Sequence, residues 1–399
     1  MIARSFILFL LLDILPFLYF YLRFFYKKAE MWKQVLLWIP CVLMVAYTTY
    51  LAMEPNFIPD NDRILILYFY LLLIGLVIAP MWVFILCSLA GRGCSALVRK
   101  FCAKDKETPR RNYGNFLGLI LIPVVWFIVL WGAFPGFNKF EVNHTEYESE
   151  ALPEAFDGYR IVIFSDAHVG SYQKRNTFVL EEAIDSMNAQ KPDMIVFTGD
   201  LLNIQPADLY PHIKTLSKLK AKDGVFSILG NHDYAEYLGC DEAIKAANIK
   251  ETISLEKQLG WTLLLNENRK ITHDKDHIIL AGMENDGDGK HFPQKGDINK
   301  TLENVNDSDF ILMLEHDPSS WRRKIIPDGR AQLTLSGHTH AMQFNIFGWC
   351  PMSVLGREFW GWYEEGYQKL FVTAGLGGLI PFRFGVTGEI VILTLKKKW

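Results

Sequence analysis

The chain has 399 residues, of which 50% are hydrophobic and 21% are charged, and its formal net charge is −3. So apolar a composition excludes a disordered chain. The near-neutral charge excludes nucleic-acid binding through bulk positive charge, so no nucleic-acid partner is expected. Lys and Arg outnumber Asp and Glu in residues 1–136, whereas acidic residues outnumber basic ones in the remainder. This asymmetry indicates a membrane domain followed by a globular domain.

Four apolar segments of the first third predict transmembrane helices, since each is long enough to cross about 30 Å of hydrocarbon. They cover residues 5–25, 35–53, 64–90 and 116–134. We therefore predict an all-α transmembrane domain of four helices over residues 1–136, followed by a linker over residues 137–154. Asp13 interrupts the first segment; acidic groups at this depth are often functional, but we interpret it as lying near a helix end or facing water.

The loops between these segments predict the orientation of the domain. Lys and Arg mark cytoplasmic loops. Basic residues cluster in the first and third loops, as in Lys27–Lys28 and Arg110–Arg111, whereas the second loop carries Glu54, Asp60 and Asp62. Both termini then lie outside the cytoplasm. We predict a multi-pass protein of the cell inner membrane whose large domain is periplasmic or otherwise extracytoplasmic.

Short β-rich segments alternate with helix-like segments over residues 155–399, which is typical of an α/β or α+β domain. The predicted strands are Tyr159–Phe164, Met194–Thr198, Val225–Leu229, His277–Ala281, Phe310–Leu314, Gln332–Leu335, Leu370–Thr373 and Glu389–Leu395. The predicted helices are Thr177–Asn188, Leu209–Leu219, Asp241–Ala247 and Ser319–Ile325.

Five polar clusters each follow a predicted strand. They are Asp166-Ala167-His168, Gly199-Asp200, Gly230-Asn231-His232-Asp233, Glu315-His316-Asp317 and Gly337-His338-Thr339-His340. Loops that leave the same edge of a sheet converge, so these side chains are expected to lie together. In Asp-x-His and His-x-His the side-chain period of two directs both residues to one face. The glycines before Asp200, Asn231 and His338 are expected to permit sharp turns.

The ligand types predict the class of metal. Carboxylate oxygens mixed with imidazole nitrogens suit Mn, Zn or Fe better than Ca or Mg. The clusters offer too many ligands for one tetrahedral ion, and they suit two divalent metal ions that share a bridging carboxylate.

These motifs resemble, in content and order, those of the calcineurin-like metallophosphoesterase superfamily. Gly375-Leu376-Gly377, followed by Pro381-Phe382-Arg383, is similar to the C-terminal segment of its membrane-associated YkuE/YaeI-like branch. The resemblance implies a four-layer sandwich of two mixed β-sheets flanked by helices over residues 155–399. It does not cover the predicted transmembrane helices.

The resemblance also implies roles for single residues. Asp166, His168 and His340 would bind the first metal, and Asn231, His316 and His338 would bind the second. Asp200 would bridge the two metals, and His232 would be the catalytic imidazole. Asn203 stands where the family often has a second acid, which removes a charge able to orient a neighbouring histidine.

This site predicts a membrane-anchored phosphohydrolase. Hydroxide held between two metals would attack a phosphoester or pyrophosphate, and His232 would stabilise the transition state or protonate the leaving oxygen. We expect Asp233 to orient His232 and Arg383 to bind a substrate phosphate. The alternative is a non-catalytic, membrane-anchored binding module that retains the fold. Monoester, diester and pyrophosphate substrates are not separable, because all three use this metal core.

An aromatic segment follows the last cluster, from Phe344 to Tyr363, and it contains three tryptophans. Trp and Tyr near a membrane anchor favour contact with the bilayer interface. The segment therefore suggests a phosphorylated, lipid-linked or membrane-proximal substrate, although packing within the protein is an equal alternative. Nucleotide-linked acylated sugars, which the resemblance also suggests, are cytoplasmic and conflict with the predicted orientation.

Overall fold

The computed structural model describes residues 5–53, 61–101, 112–172, 176–289 and 292–399. It contains two compact units, Met1–Trp131 and Gly132–Trp399. Glu54 and Asp60 of the second predicted loop, and Arg110–Arg111 of the third, lie outside the described residues. We call the two parts the helical unit and the sheet unit.

The described residues contain four helical segments that are long and apolar enough to cross a membrane, which confirms the predicted four-helix region. They are Phe6–Phe25, Met31–Met53, Ile64–Phe101 and Tyr113–Gly136. Their α-helices are α1 (Phe6–Phe20), α2 (Met31–Met53), α3 (Asn61–Leu73), α4 (Ala79–Phe101) and α5 (Tyr113–Trp131), with π-helical turns at Tyr21–Phe25, Ile74–Ile78 and Gly132–Gly136.

The third helical segment does not end near residue 90, as the apolar pattern predicts, but continues to Phe101. Arg92, which follows the predicted end of the segment, lies on α4, and Arg99 and Lys100 lie in its last turn. Basic side chains interact favourably with the carboxyl end of a helix dipole, so the helix can continue beyond its apolar part.

Asp13 is completely buried within the helical unit, so our interpretation of it as a helix-end or water-facing residue was wrong. The Thr48 hydroxyl on α2 donates a hydrogen bond of 2.5 Å to Asp13 Oδ2. The Tyr70 hydroxyl on α3 lies 2.7 Å from the same Thr48 oxygen. The Thr48 hydroxyl thus satisfies one carboxyl oxygen of the buried acid, while Oδ1 has no hydrogen-bond partner among the described residues.

The sheet unit contains two six-stranded sheets. Sheet A has the order β1-β12-β2-β3-β4-β5 and sheet B the order β10-β11-β9-β8-β7-β6. The strands are β1 (Phe140–Ser149), β2 (Arg160–Phe164), β3 (Met194–Phe197), β4 (Val225–Ser227), β5 (Thr262–Leu263), β6 (Glu267–His273), β7 (Asp276–Gly282), β8 (Ile311–Leu314), β9 (Leu333–Ser336), β10 (Gly361–Glu365), β11 (Gln368–Val372) and β12 (Gly388–Lys397). Both sheets mix parallel and antiparallel pairs, which confirms the predicted fold class.

Alternating residues of β2 bury opposite faces of sheet A. Ile161 and Ile163 belong to a core cluster that includes Leu312 and Leu335 of sheet B, so this cluster fills the space between the sheets. Val162 and Phe164 belong to a second cluster that includes helix α6. A strand buried on both faces reads as a continuous apolar run, which is why β2 was predictable.

In the part of the sheet unit that the structure describes, five α-helices accompany the sheets. They are α6 (Thr177–Ala189), α7 (Ile213–Leu216), α8 (Glu242–Gln258), α9 (Ile298–Thr301) and α10 (Ile326–Asp328). The helix predicted over Leu209–Leu219 is α-helical only in α7, because 3-10 turns containing Pro206 and Pro211 precede it.

The predicted linker over residues 137–154 is wrong in its central part. Residues Phe140–Ser149 form β1, which pairs in parallel with all ten residues of β12. The Glu and His side chains of β1 are exposed and its other residues are half-buried, apart from Tyr147, which is fully buried. Such a polar strand resembles a loop in sequence because it lies at the edge of the sheet.

Candidate metal centre

The predicted ligands all lie in loops that leave the carboxyl ends of parallel strands. Asp166 and His168 follow β2, Asp200 follows β3, and Asn231 follows β4 in sheet A; His316 follows β8, and His338 and His340 follow β9, in sheet B. The packed sheets therefore bring seven side chains from five loops to one edge. Six of them fall into three groups whose ligand atoms lie within 4.8 Å of one another.

The backbone at this edge is unusual. Five of the seven predicted ligands have a positive φ: Asp166, His168, Asp200, His338 and His340. Residues other than glycine rarely adopt this conformation, and it persists where the surrounding structure holds it. The expectation about glycines holds for Gly199, which has φ of 97°. Gly230 has a negative φ, and its role is close approach, because a Cβ there would lie 2.2 Å from Asp200 Oδ1.

The first group contains Asp166, His168 and His340. Nε2 of His340 lies 3.3 Å from Oδ1 of Asp166. The backbone N–H of His338 donates to both carboxylate oxygens of Asp166, at 3.1 and 3.0 Å. Because the loop after β9 fixes the carboxylate that follows β2, the two sheets are connected at this point.

The second group contains Asp200, His316 and His338. Nε2 of His316 lies 3.2 Å from Oδ2 of Asp200 and 3.2 Å from Oδ1 of Asn231. Nδ1 of His338 lies 2.7 Å from the same Asn231 oxygen. The carboxylate of Asp200 also lies 3.6 Å from Nε2 of His168. Asp200 thus occupies the position between the two groups.

The electrostatics of the centre follow from burial and from the charge of Asp200. Burial opposes ionisation of this carboxyl, but His316 and His232 outweigh that effect and hold its pKa well below the usual range. Burial alone would lower the pKa of His316, yet the adjacent carboxylate raises it to about 10. Desolvation lowers the pKa of His168 and brings that of His340 to about 4, so both rings are neutral at pH 7.

These side chains fit a pair of divalent cations. Both ring nitrogens of His168 and Nδ1 of His340 are buried and have no hydrogen-bond partner among the described residues. An unpartnered buried polar atom is costly, and neutral imidazole is a metal ligand. Nδ1 of His316 lies 2.7 Å from the Thr198 carbonyl oxygen, so an N–H donated there leaves Nε2 to face the centre.

His232 lies at the mouth of the centre, and a backbone carbonyl orients it. Its Nδ1 lies 2.6 Å from the carbonyl oxygen of Asn203, and its ring centroid lies 4.7 Å from that of His168. Asn203 therefore orients a histidine after all, through its main chain. Our prediction that Asp233 orients His232 was wrong. The Asp233 carboxylate accepts hydrogen bonds from the backbone N–H groups of Asp200, Leu201, Leu202 and Gly230.

Arg383, which we predicted to bind a substrate phosphate, is only 1% exposed. Its guanidinium donates hydrogen bonds to the carbonyl oxygens of Ala374, Gly375, Gly377 and Thr387. The substrate-binding prediction was therefore wrong, because the side chain is buried and both terminal nitrogens of its guanidinium donate to the main chain. The side chain instead braces the loop in which Gly375 contacts Asp166.

Two residues beside the centre, Tyr237 and Asp317, have contacts that the sequence does not predict. The Tyr237 hydroxyl accepts a hydrogen bond of 2.7 Å from Asn231 Nδ2, which turns the amide oxygen toward the histidines. Its ring centroid lies 4.3 Å from that of His232. Asp317 Oδ2 lies 3.6 Å from Nε2 of His338. Asp317 was visible next to His316, but no spacing rule connects it with His338.

Two parts of the chain match known protein families. Residues 159–342 match the family described as calcineurin-like phosphoesterase, and residues 3–137 match the transmembrane domain of probable calcineurin-like phosphoesterases. The chain belongs to the calcineurin-like metallophosphoesterases and is a membrane protein that carries this second, four-helix domain. The family binds two divalent metals.

The chain is also similar in sequence to individual proteins of this family. The chain is 32% identical to the uncharacterized metallophosphoesterase YkuE of Bacillus subtilis, over 65% of this chain and 86% of the relative. It is 27% identical to a transmembrane protein with metallophosphoesterase domain from Danio rerio, over 76% of this chain and 69% of the relative. It is 32% identical to the uncharacterized metallophosphoesterase Cj0846 of Campylobacter jejuni, over 65% of this chain and 64% of the relative.

Proposed function

We propose that the chain is a membrane-anchored, dinuclear-metal phosphohydrolase that cleaves a phosphoester or pyrophosphate bond. One observation carries this proposal: side chains from five loops converge on one sheet edge and leave buried imidazole nitrogens without partners. A binding module would have no need to maintain so complete a ligand set in a costly backbone conformation.

In this proposal Asp166, His168 and His340 hold one cation, while Asn231, His316 and His338 hold the other. Asp200 bridges the two, because its carboxylate lies near histidines of both groups. Two divalent cations of the Mn, Zn or Fe class, when bound, supply an activated water and neutralise the charge of the phosphate.

His232 is proposed to act on the leaving group. An N–H at Nδ1 that is donated to the Asn203 carbonyl leaves Nε2 to face the centre. In its protonated form the ring carries a proton at Nε2, which it donates to the leaving oxygen as the bond to phosphorus breaks. Tyr237 limits the motion of this ring by packing against it.

We further propose that the substrate is phosphorylated and lipid-linked or membrane-proximal. The chain's own membrane segments confine the centre to the neighbourhood of a bilayer. The 16 residues 341–356, which directly follow the ligand His340, contain no Asp, Glu, Lys or Arg. An uncharged segment beside a centre for phosphate suits a substrate that joins a charged head to an apolar tail.

The proposed orientation places the sheet unit outside the cytoplasm, on the periplasmic side of an inner membrane. Its support is the concentration of Lys and Arg in the first and third inter-helix segments. Attachment of a membrane-impermeant thiol reagent to a cysteine substituted for Trp399, in intact cells, tests this orientation. Labelling only after the cells are permeabilised would place the sheet unit in the cytoplasm.

The activity is tested with the full chain, purified in detergent and supplied with Mn²⁺. Aryl phosphate monoesters and diesters serve as soluble probes, and a phosphorylated lipid in mixed micelles serves as the membrane probe. We expect metal-dependent turnover that a chelator abolishes. In Asp200→Asn the loss should be at least as large as the ~10²–10⁴-fold that a general acid contributes.

Asp185→Asn is the matched control, because it makes the same chemical change at an exposed position of α6. It should retain turnover. If the wild-type chain binds two metals per molecule but hydrolyses none of the probes, the binding-module alternative gains support. Preference for the lipid probe over the soluble probes supports the substrate class.

A further inference from the structure

A tight hairpin projects from the segment that follows the candidate metal centre. Ile346 and Trp349 exchange two backbone hydrogen bonds of 2.9 Å each, and Phe347 and Gly348 form the turn between them. Both turn residues have a positive φ, 52° and 84°, which is the pattern of a type I′ turn. Glycine or asparagine is usual at such positions, so a phenylalanine here is exceptional.

The phenylalanine at the tip makes no contact that compensates for this conformation. Its relative exposure is 104%, the highest value among the large hydrophobic side chains of the described residues. Trp349 beside it is half exposed, and Val354 and Leu355 in the next 3-10 turn are more so. A strained backbone that presents an aromatic ring to solvent indicates that the ring has a partner outside the protein.

The base of the hairpin is firmly held. The backbone N–H of Asn345 donates to the carbonyl oxygen of Phe384 at 2.8 Å, and that of Phe384 donates to Gln343 at 2.9 Å. The rings of Phe344 and Phe384 stack with centroids 6.0 Å apart. Cys350 is completely buried at the other end. The tip is therefore carried on a rigid support.

The same support contacts the end of the fourth membrane segment. Gly132–Gly136 form the last turn of that segment and belong to the sheet unit. The backbone N–H of Arg383 donates to the Gly132 carbonyl oxygen at 2.9 Å, and the Phe382 ring packs so closely that a Cβ on Gly132 would clash with it. The adjacent residues Arg383 and Phe384 thus connect the last turn of the fourth membrane segment with the base of the hairpin.

We propose that the hairpin Phe344–Cys350 inserts its tip, Phe347 and Trp349, into the interface of the bilayer. Aromatic rings at a membrane surface are stabilised at the level of the lipid head groups. The absence of charged residues from 341 to 356 removes the desolvation cost that would oppose insertion. Its contact with the end of a membrane segment favours lipid over a protein partner.

This inference rests in part on the proposed function, because a tip held in the lipid would turn the metal centre toward phosphates at the membrane surface. His340 directly precedes Ala341, whose carbonyl oxygen accepts a hydrogen bond of 3.2 Å from the thiol of Cys350 at the end of the hairpin. The hairpin would attach the sheet unit to the bilayer in addition to the four membrane segments. It would also bring the substrate's head group to the centre.

The insertion is tested without reference to activity. The photoreactive analogue p-benzoylphenylalanine replaces Phe347 in the full chain, which is reconstituted in vesicles of phosphatidylethanolamine and phosphatidylglycerol. We expect irradiation to attach lipid at position 347. The same substitution at Trp399 is the control: this exposed aromatic residue follows β12, which runs antiparallel to β2 and therefore ends on the side of sheet A opposite the metal centre. Attachment to a second copy of the chain, or no attachment at 347, would overturn the proposal.

A kinetic measurement adds the link to the substrate. We expect Phe347→Ser to lower kcat/KM for the phosphorylated lipid in vesicles by about tenfold and to leave turnover of a soluble aryl phosphate unchanged. Trp399→Ser should change neither value. Equal losses on both substrates would show that the hairpin supports folding of the centre and would contradict a role at the membrane. If no substrate is turned over, the proposed function fails. The photochemical attachment of lipid at position 347 still tests whether the hairpin inserts into the bilayer.

Discussion

The two units of this protein each bury carboxylates, and they surround them differently. In the helical unit Asp13 accepts a hydrogen bond from Thr48, and hydroxyl groups rather than charged ones are its side-chain neighbours. In the sheet unit Asp200 lies among imidazoles, several of whose nitrogens have no partner. Among the described residues, all groups suited to a metal lie in the sheet unit. Burial of an acid is thus not sufficient for a metal site; converging donors with unused lone pairs are needed.

The prediction with the largest expected effect distinguishes the metal ligands from His232, which is proposed to act on the substrate. His232→Ala should retain both metals but lose ~10²–10⁴-fold in turnover, because it removes a proton donor and leaves the predicted ligand set intact. Turnover and metal content per chain, by elemental analysis, are measured on the same sample. His212→Ala is no suitable control, because His212 is buried. The exposed His144 on β1 is suitable. Normal turnover by His232→Ala would refute the assigned role.

A smaller effect tests whether the centre extends beyond its seven predicted ligands. Asp317→Asn should weaken metal binding by ~10–100-fold, because a carboxylate beside His338 orients the ring and increases its basicity. The measurement is a titration of the metal-free chain with Mn²⁺ by calorimetry. Asp309→Asn is the control, since Asp309 contacts His277 away from the centre. Equal affinities for Asp317→Asn and the wild type would confine the metal-binding residues to the ligands alone.

The smallest effect concerns the helical unit. Thr48→Val keeps the shape of the side chain but removes the hydroxyl that links Asp13 with Tyr70. Hydrogen bonds between membrane helices contribute about 0.6 kcal/mol on average and at most about 1.7 kcal/mol. We therefore expect a modest loss of resistance to unfolding in detergent, with turnover unchanged. Thr49→Val is the matched control, because its hydroxyl bonds only within α2, to Val45. A large loss of turnover in Thr48→Val would show that the surroundings of Asp13 are coupled to the metal centre.

The sequence predicted the interior of both sheets but missed their borders. All eight predicted strands are present, whereas the four unpredicted strands, β1, β5, β6 and β10, are the edge strands of the two sheets. Interior strands are buried on both faces and read as apolar runs. Edge strands such as β6, with the sequence ENRKITH, carry charged residues and have no comparable signal.

The metal centre likewise has a part that the sequence predicts and a part that it does not. Side chains that would hold metals form recognisable clusters after strands, and the loops bring together every one of them. The supporting contacts were not predictable, because they use the main chain: the Asn203 carbonyl beside His232, and the backbone N–H groups that Asp233 accepts from. Any residue type can supply a carbonyl or an N–H, so the letters of the sequence do not record such contacts. Arg383 was misassigned for the same reason, since its partners are carbonyl oxygens.

The position of β12 has a consequence for synthesis. This strand lies between β1 and β2, so sheet A remains divided until residues 388–397 have left the ribosome. The membrane segments are made first and can enter the bilayer while the following unit is still incomplete. If that unit crosses the membrane, as the proposed orientation requires, it crosses as an unfinished chain, and the arrival of β12 completes sheet A on the far side.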